Sequence, residues 1–123
     1  MIIRHILRGI LVIIFVGGGI NHFINSDFYF KIMPQFLPYP VLINYASGAL
    51  EIIGGVGLLI SGFRKSASYL LILLLILFLI VHIDHVVKGG VISNETTLPQ
   101  AAVWFRLLFQ GVLIYWVYWV GKK

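Results

Sequence analysis

Polar side chains interrupt the apolar stretches of this sequence at positions where they are costly to keep. They are His22, Glu51, His82, Asp84, His85, Arg106 and Gln110. A charge at the centre of a membrane helix costs roughly 2.5–3.5 kcal/mol on insertion scales, so such residues need partners and often mark a function. We therefore treat them as the candidate site and ask which elements bring them together.

The composition indicates a small integral membrane protein. Of its 123 residues, 60% are hydrophobic and only 11% are charged, whereas soluble domains are about 45–50% apolar. Four apolar stretches cover about residues 6–25, 41–62, 67–87 and 100–120, each close to the ~20 residues that span a bilayer as a helix. The sequence therefore predicts an all-α, antiparallel four-helix membrane bundle that forms a single domain over residues 1–123.

The basic residues predict the orientation of this bundle. Arg4, Arg8, Arg64, Lys65, Lys122 and Lys123 flank one end of the predicted spans, while the first and third loops carry only Lys31 and Lys88. By the positive-inside rule, both termini are expected in the cytoplasm, with the protein in a bacterial inner membrane. This topology and contact with anionic lipid account for the net charge of +5, so nucleic acid is not an expected partner.

The loops between the spans differ in kind. The second loop, SGFRKSAS, is short and predicts that spans two and three are antiparallel neighbours. The first loop contains Pro34, Pro38 and Pro40, which disfavour a long helix, and is too rich in aromatic residues for a solvated linker. Two interpretations stay open: a lid over the bundle, or a short interfacial helix that only braces spans one and two.

Helical spacing places the polar residues in one half of the bundle, the half farther from the termini. Gly48, Glu51 and Gly55 share one face of span two, so that small residues frame the carboxylate. Arg106 and Gln110 project together from span four. We expect a buried Glu51–Arg106 ion pair, with Gln110 and a histidine adding hydrogen bonds, and nothing comparable in the half nearer the termini.

Several chemistries fit these residue types. One is a polar pocket that binds a small molecule or a quinone headgroup, in which Glu51 and a histidine exchange a proton. Another is a b-type haem or a divalent metal held by His22, His82, His85 and Glu51. The third is a purely structural ion pair that holds the helices. Because there is no cysteine, disulfides, thiolate ligands and covalent haem attachment are excluded.

Three segments carry a resemblance to a known family. GGGINHFINSDFYFKIMPQFLPYP, SGALEIIGGVGLL and RLLFQGVLIYWVYW together resemble the DoxX and DoxX-like family of small four-span membrane proteins. The motif residues are Asn21-His22-Phe23, Pro34 with Pro38, Ser47-Gly48 with Glu51, and Arg106 with Gln110. The chain has Ile80-Val81-His82 where the family usually has Pro-x-Asn, and Leu108 where a proline is frequent.

The resemblance implies a fold and a polar core more than a reaction. The residues it suggests for a ligand pocket are Asn21, His22, Ser47, Glu51, His82, Arg106 and Gln110. The family is associated with quinone-linked redox systems, and most of its members have no assigned activity. Three functions stay open: a redox-associated component that handles quinone or protons, a binding protein for a small ligand, and a structural subunit that docks a redox enzyme or a second copy.

Overall fold

The computed structural model describes residues 2–91 and 97–122. In this part of the chain, every regular element of secondary structure is a helix. The helices are α1 (Ile2–Ile24), α2 (Ser26–Ile32), α3 (Pro40–Gly57), α4 (Arg64–Val87) and α5 (Gln100–Gly121). The described residues form no strand, and their β pairing is limited to an isolated bridge between Val91 and Thr97. The prediction of an all-α protein is confirmed.

Three helices, α1, α4 and α5, are long and apolar enough to cross a bilayer. Their surfaces leave many large apolar side chains exposed, including Ile13, Leu73 and Leu108, as expected for helices that face lipid. This indicates a membrane protein. Helix α3, with 18 residues, is long enough but is not among the three, because its apolar character is lowered by Asn44, Ser47 and Glu51, all of them buried.

The helix boundaries depart from the predicted spans mainly in the second span. Helix α3 ends at Gly57 instead of near residue 62, and residues 58–63 form turns. The turns are held by Arg64, whose Nε donates a hydrogen bond of 2.7 Å to the carbonyl of Leu58. At its other end, α3 follows Tyr39, a non-glycine residue with φ of 50°, and begins at Pro40, where a missing N–H costs nothing.

Helix α1 packs mainly on α3, α4 packs mainly on α5, and α3 joins the two pairs through α4. The predicted neighbour relation of the second and third spans is thus confirmed. The hydrophobic core lies in the half nearer the termini, where it consists of Leu11, Phe15, Leu58, Ala67, Leu71, Leu74, Leu75, Leu113, Val117 and Val120. The polar residues of the candidate site lie in the other half.

Glycines allow α1 and α3 to approach closely next to the polar residues. A Cβ added to Gly19 would lie 2.5 Å from the carbonyl oxygen of Gly48, and one added to Gly48 would lie 2.7 Å from Cβ of His22. Side chains at either position would therefore force the two backbones apart. Small residues serve the same purpose in other membrane helix pairs.

The half nearer the termini also contains buried polar groups, so the prediction of nothing comparable there is wrong. Arg8 and Ser68 are each only 3% exposed. Nη2 of Arg8 donates to the carbonyl of Val120 at 3.3 Å, and Oγ of Ser68 donates to that of Val117 at 3.0 Å. The sequence misleads here because Arg8 flanks a span, a position at which arginine usually reaches the interface.

Candidate functional site

The centre of the candidate site is a contact between α1 and α3. Nε2 of His22 lies 2.9 Å from Oε2 of Glu51, and both residues are about nine-tenths buried, at 8% exposure each. Gly18 makes room for the carboxylate, because Oε1 of Glu51 lies 3.6 Å from the place where a Cβ of Gly18 would be. The close packing at Gly19 and Gly48 is what brings the two side chains together.

Asn44, which is fully buried, orients the histidine through two hydrogen bonds. Its Nδ2 donates to the backbone carbonyl of His22 at 2.9 Å, and its Oδ1 lies 2.8 Å from Nδ1 of the same residue. Sequence reasoning overlooked Asn44. The signal was present, because Asn44, Ser47, Gly48 and Glu51 follow the spacing i, i+3, i+4 and i+7 of a single helix face.

These contacts determine where the hydrogens of the site lie. Because Nδ2 of Asn44 is the donor to the carbonyl, its Oδ1 is an acceptor, so Nδ1 of His22 carries a hydrogen. Nε2 of His22 lies at ion-pair distance from Oε2 of Glu51, 2.9 Å, although the two atoms are not aligned for a hydrogen bond. A proton gained or lost on this side of the imidazole would leave the bonds to Asn44 intact.

Helix α2 covers this pair from the side of the first loop. The ring of Tyr29 stacks on that of His22, with centroids 4.0 Å apart and planes 15° apart. The Tyr29 hydroxyl accepts a hydrogen bond of 2.8 Å from Nδ2 of Asn21. At the end of α2, the carbonyl of Ile32 accepts a bond of 2.7 Å from Nε2 of His85. The loop thus contains a short helix that also covers the site, which combines the two interpretations left open by its sequence.

A cavity of about 110 Å³ lies beneath this cover, and we call it the α2 cavity. Its walls are apolar apart from a few converging polar groups, and its lining consists of His22, Tyr29, Ile32, Met33, Leu37, Ile43, Ser47, Phe78, Val81, His82 and Arg106. Nδ1 of His82 is buried and has no hydrogen-bond partner among the described residues. The cavity therefore combines a cation, an unused ring nitrogen and the proton-bearing histidine.

The expected ion pair between Glu51 and Arg106 is not formed. Glu51 pairs with His22, and no described acidic side chain lies within ion-pair distance of Arg106, whose guanidinium lines the α2 cavity. The reason is helix packing, since α3 meets α1 closely through glycines, whereas α5, which carries Arg106, packs mainly on α4. The part of the prediction that gave Glu51 a histidine partner agrees with the structure.

The remaining predicted residues have separate positions. Ser47 and His82 line the α2 cavity, while Asn21 acts from outside it by holding Tyr29. Gln110 is buried and donates from Nε2 to the carbonyl of Leu75 at 2.8 Å, which ties α5 to α4. Six of the predicted residues are thus close to the cavity, and Gln110 is mainly a link between helices, although its side chain is within reach of His82.

The candidate metal ligands do not converge. Within residues 2–91 and 97–122, no three His, Asp or Glu side chains are placed to hold a metal ion. His85 is committed to the carbonyl of Ile32, and Asp84 pairs with Lys88 at 3.2 Å. The divalent-metal alternative therefore has no ligand set in the described residues, and a b-type haem stays an untested prediction.

A concavity larger than the α2 cavity lies elsewhere. It measures about 540 Å³, lies between α3 and α4, and is lined by small and apolar residues such as Ile52, Gly54, Ile60 and Leu70. In a membrane, such a groove suits lipid chains, and it lacks the polar groups that would fix the orientation of a ligand. The smaller α2 cavity is the better candidate site because it has such groups.

Most of the sequence matches the model of one known family. Residues 11–121 match the family DUF8561, described as a domain of unknown function, and the chain belongs to this family. No curated protein and no solved structure matches the chain. The resemblance to DoxX-like proteins stays a prediction from the motifs.

Proposed function

We propose that this protein binds a small ring ligand, of which a quinone headgroup is the best example, in the α2 cavity. The observation that carries the proposal is the arrangement of three polar groups around one apolar cavity. Nε2 of His22 lies 2.9 Å from Oε2 of Glu51, His82 presents an Nδ1 without a hydrogen-bond partner, and Arg106 has no acidic partner, all among the described residues. Carbonyl oxygens of a ligand would accept from such donors.

The size of the cavity limits the ligand. An engineered cavity of ~150 Å³ in another protein holds benzene, so about 110 Å³ suits one six-membered ring with few substituents. A longer apolar tail would stay among the lipid chains outside the bundle. A quinone headgroup meets these requirements because it is planar, mostly apolar and carries two carbonyl acceptors.

The His22–Glu51 pair would serve a ligand that takes up protons. Reduction of a quinone to a quinol consumes two electrons and two protons. We propose that a partner redox protein supplies both electrons, that this pair supplies one proton, and that water supplies the other proton and then reprotonates the pair. Asn44 keeps Nδ1 of His22 occupied, so the exchangeable proton is the one on the Nε2–Oε2 side. In this role the protein is a redox-associated membrane component, as its resemblance to DoxX-like proteins implies.

We also propose that α3 is a fourth membrane span. It rises about 27 Å at ~1.5 Å per residue, close to the ~30 Å of a hydrocarbon core. Its polar residues are buried against α1, while Val41, Leu42, Ile53 and Val56 are exposed and would face lipid. With four spans, Arg4, Arg64, Lys65 and Lys122 lie at one end, and by the positive-inside rule this supports termini on the cytoplasmic side of a bacterial inner membrane.

Ligand binding by protein in lipid nanodiscs tests the main proposal. The probe is a benzoquinone with one short alkyl tail, and its binding is followed by quenching of tryptophan fluorescence. We expect saturable binding to the wild type and an affinity at least about tenfold weaker for Arg106→Gln, since a hydrogen bond from a charged donor is worth about 1.5–3 kcal/mol. Lys88→Gln, which removes a cation outside the cavity, should bind as the wild type does. Absence of saturable binding, or equal affinity for Arg106→Gln, contradicts the proposal.

Replacing both His22 and Glu51 distinguishes the ligand-binding proposal from the structural alternative, in which the pair only holds the helices together. Each single change, His22→Leu or Glu51→Leu, leaves a buried polar partner behind and should destabilise the bundle by about 3–5 kcal/mol. The double change should recover most of this stability. If the pair served only to hold the helices, the stable double variant would still bind the quinone, whereas our proposal expects weaker binding and no pH-dependent proton uptake on binding.

A further inference from the structure

A second cavity lies at the opposite end of the bundle, between the first turns of α4 and the last turn of α5. It has a volume of about 160 Å³ and is lined by Lys65, Ser68, Tyr69, Tyr118, Gly121 and Lys122. We call it the lysine cavity. Two ammonium groups and three hydroxyl groups border it, and none of its lining residues is acidic. It therefore differs in character from the apolar-walled α2 cavity.

The walls of the lysine cavity are held together by close contacts. Gly121 packs directly on the side chain of Ser68, where any larger residue would collide, and Ser68 in turn donates to the carbonyl of Val117. Nζ of Lys122 lies 4.7 Å above the centroid of the Tyr118 ring, a cation–π contact that favours a defined position for one of the two ammonium groups. The cavity is thus a feature of the packed helices as well as of two long side chains.

Among the residues that the structure describes, the positive charges around this cavity have no acidic counterpart. Arg4, Arg8 and Arg64 lie close to one another at the same end of the bundle. Every acidic residue that the structure describes belongs to the other half: Asp27 in α2, Glu51 beside His22, and Asp84 in the last turns of α4. An anion that enters the lysine cavity would therefore meet Lys65 and Lys122 and no carboxylate of the described residues.

We propose that the lysine cavity binds a phosphate group, and that Lys65 and Lys122 are its principal ligands. Tetrahedral phosphate oxygens can accept from the two lysine ammonium groups and from the hydroxyls of Tyr69 and Tyr118, whereas the hydroxyl of Ser68 is already committed to the carbonyl of Val117. The cavity lies where α4 begins and α5 ends. Tyr69 and Tyr118 are about half exposed beside it, as is typical of tyrosines at the level of lipid headgroups. An anionic phospholipid is the nearest source of such a phosphate, and free phosphate is the other source.

Native mass spectrometry of protein released from nanodiscs of phosphatidylcholine with phosphatidylglycerol tests this site. We expect the wild type to retain phosphatidylglycerol selectively, and Lys65→Gln/Lys122→Gln to bind it about 30-fold more weakly, at about 1 kcal/mol per lysine. The matched control is Lys31→Gln/Lys88→Gln, which loses the same charge at the other end of the protein. It should retain the lipid as the wild type does.

Two results overturn the proposal. One is equal loss of phosphatidylglycerol from both double variants, since this would show attraction by net charge alone. The other is equal retention by the wild type and Lys65→Gln/Lys122→Gln. A parallel arm measures the thermal stability of the detergent-solubilised protein with inorganic phosphate. Stabilisation of the wild type but not of Lys65→Gln/Lys122→Gln assigns the site to free phosphate, and stabilisation by the lipid alone assigns it to the headgroup.

Discussion

The two hydrogen bonds of Asn44 determine how His22 faces Glu51. Without them, the imidazole would be free to rotate, and either of its nitrogens would be able to meet the carboxylate. With them, Nδ1 is occupied at 2.8 Å and Nε2 points at Oε2. A fully buried amide that satisfies both a ring nitrogen and a backbone carbonyl is a positioning residue in the same sense as the second-layer partners that orient histidine in metal sites.

Replacement of Asn44 by alanine should therefore destabilise the protein. The change leaves Nδ1 and the carbonyl of His22 without their partner, and each unsatisfied buried group costs about 1–3 kcal/mol, so we expect a loss of about 2–4 kcal/mol in the free energy of unfolding. The measurement is denaturation by SDS in mixed micelles, followed by circular dichroism. Gln35→Ala, at an exposed amide between α2 and α3, is the control and should stay within about 0.5 kcal/mol of the wild type. A similar small effect for Asn44→Ala would contradict the orienting role.

For Arg106 we expect the opposite of the Asn44 result, namely that replacement does not lower the free energy of unfolding. Because its guanidinium lies in the α2 cavity with no described acidic partner, the charge serves a ligand better than it serves the fold. We expect Arg106→Gln to leave the free energy of unfolding unchanged or to raise it by about 0.5–2 kcal/mol, a common result at binding sites. The same SDS titration measures it. A loss of more than about 2 kcal/mol would restore the ion-pair role that the sequence suggested for this arginine.

At the level of the helices, the contact between α1 and α3 leaves no room for larger side chains. Its helices meet at Gly19 and Gly48, and the same contact sets the distance between His22 and Glu51. Helix α2 then depends on this pair, because Tyr29 stacks on the ring of His22 and the Tyr29 hydroxyl is held by Asn21. The His22–Glu51 pair is therefore formed by α1 and α3, and α2 covers it.

Two glycines of α1 should respond differently to alanine. A Cβ at Gly19 would lie 2.5 Å from a backbone oxygen of α3, so Gly19→Ala should force the helices apart and cost several kcal/mol. A Cβ at Gly17 would meet nothing within 4 Å, so Gly17→Ala should be neutral or stabilise α1 by up to about 1 kcal/mol. Thermal unfolding in detergent compares the two variants, and equal stabilities would show that the close approach is not rigid.

For the whole molecule, the open question is how many times the chain crosses the membrane. The structure provides three helices that qualify by length and apolar character, and the proposed fourth span is α3. The distinction matters for function because only a crossing by α3 places Glu51 near the middle of the bilayer, and because it decides whether the two cavities open toward opposite sides. The α2 cavity and the lysine cavity lie at opposite ends of the bundle.

Single-cysteine labelling resolves this question directly, because the chain contains no cysteine of its own. Gln35→Cys lies between α2 and α3, and Gly62→Cys lies between α3 and α4. If α3 crosses, a membrane-impermeant thiol reagent added to intact spheroplasts should label Gln35→Cys alone, and Gly62→Cys should need permeabilised membranes. Labelling of both variants from the same side would contradict the four-span proposal and the orientation that depends on it.

The sequence by itself was enough to predict helices, their approximate positions and the set of residues near which a site should form. Long apolar stretches and basic flanks are local properties, and each can be recognised without knowledge of its neighbours in space. The face of α3 with Asn44, Ser47, Gly48 and Glu51 was likewise readable from its spacing, although only part of it was recognised.

The pairing of side chains between helices was decided by the tertiary structure alone. Glu51 meets His22 instead of Arg106 because glycines let α1 approach α3, while α5 is drawn to α4 by Ser68, Gln110 and Gly121. The bond of the buried Arg8 to the carbonyl of Val120 and the position of Tyr29 over His22 are likewise contacts between separate helices. A partner on another helix is selected by distance and free volume, which are properties of the packed bundle, whereas the period of a helix indicates only which residues share a face.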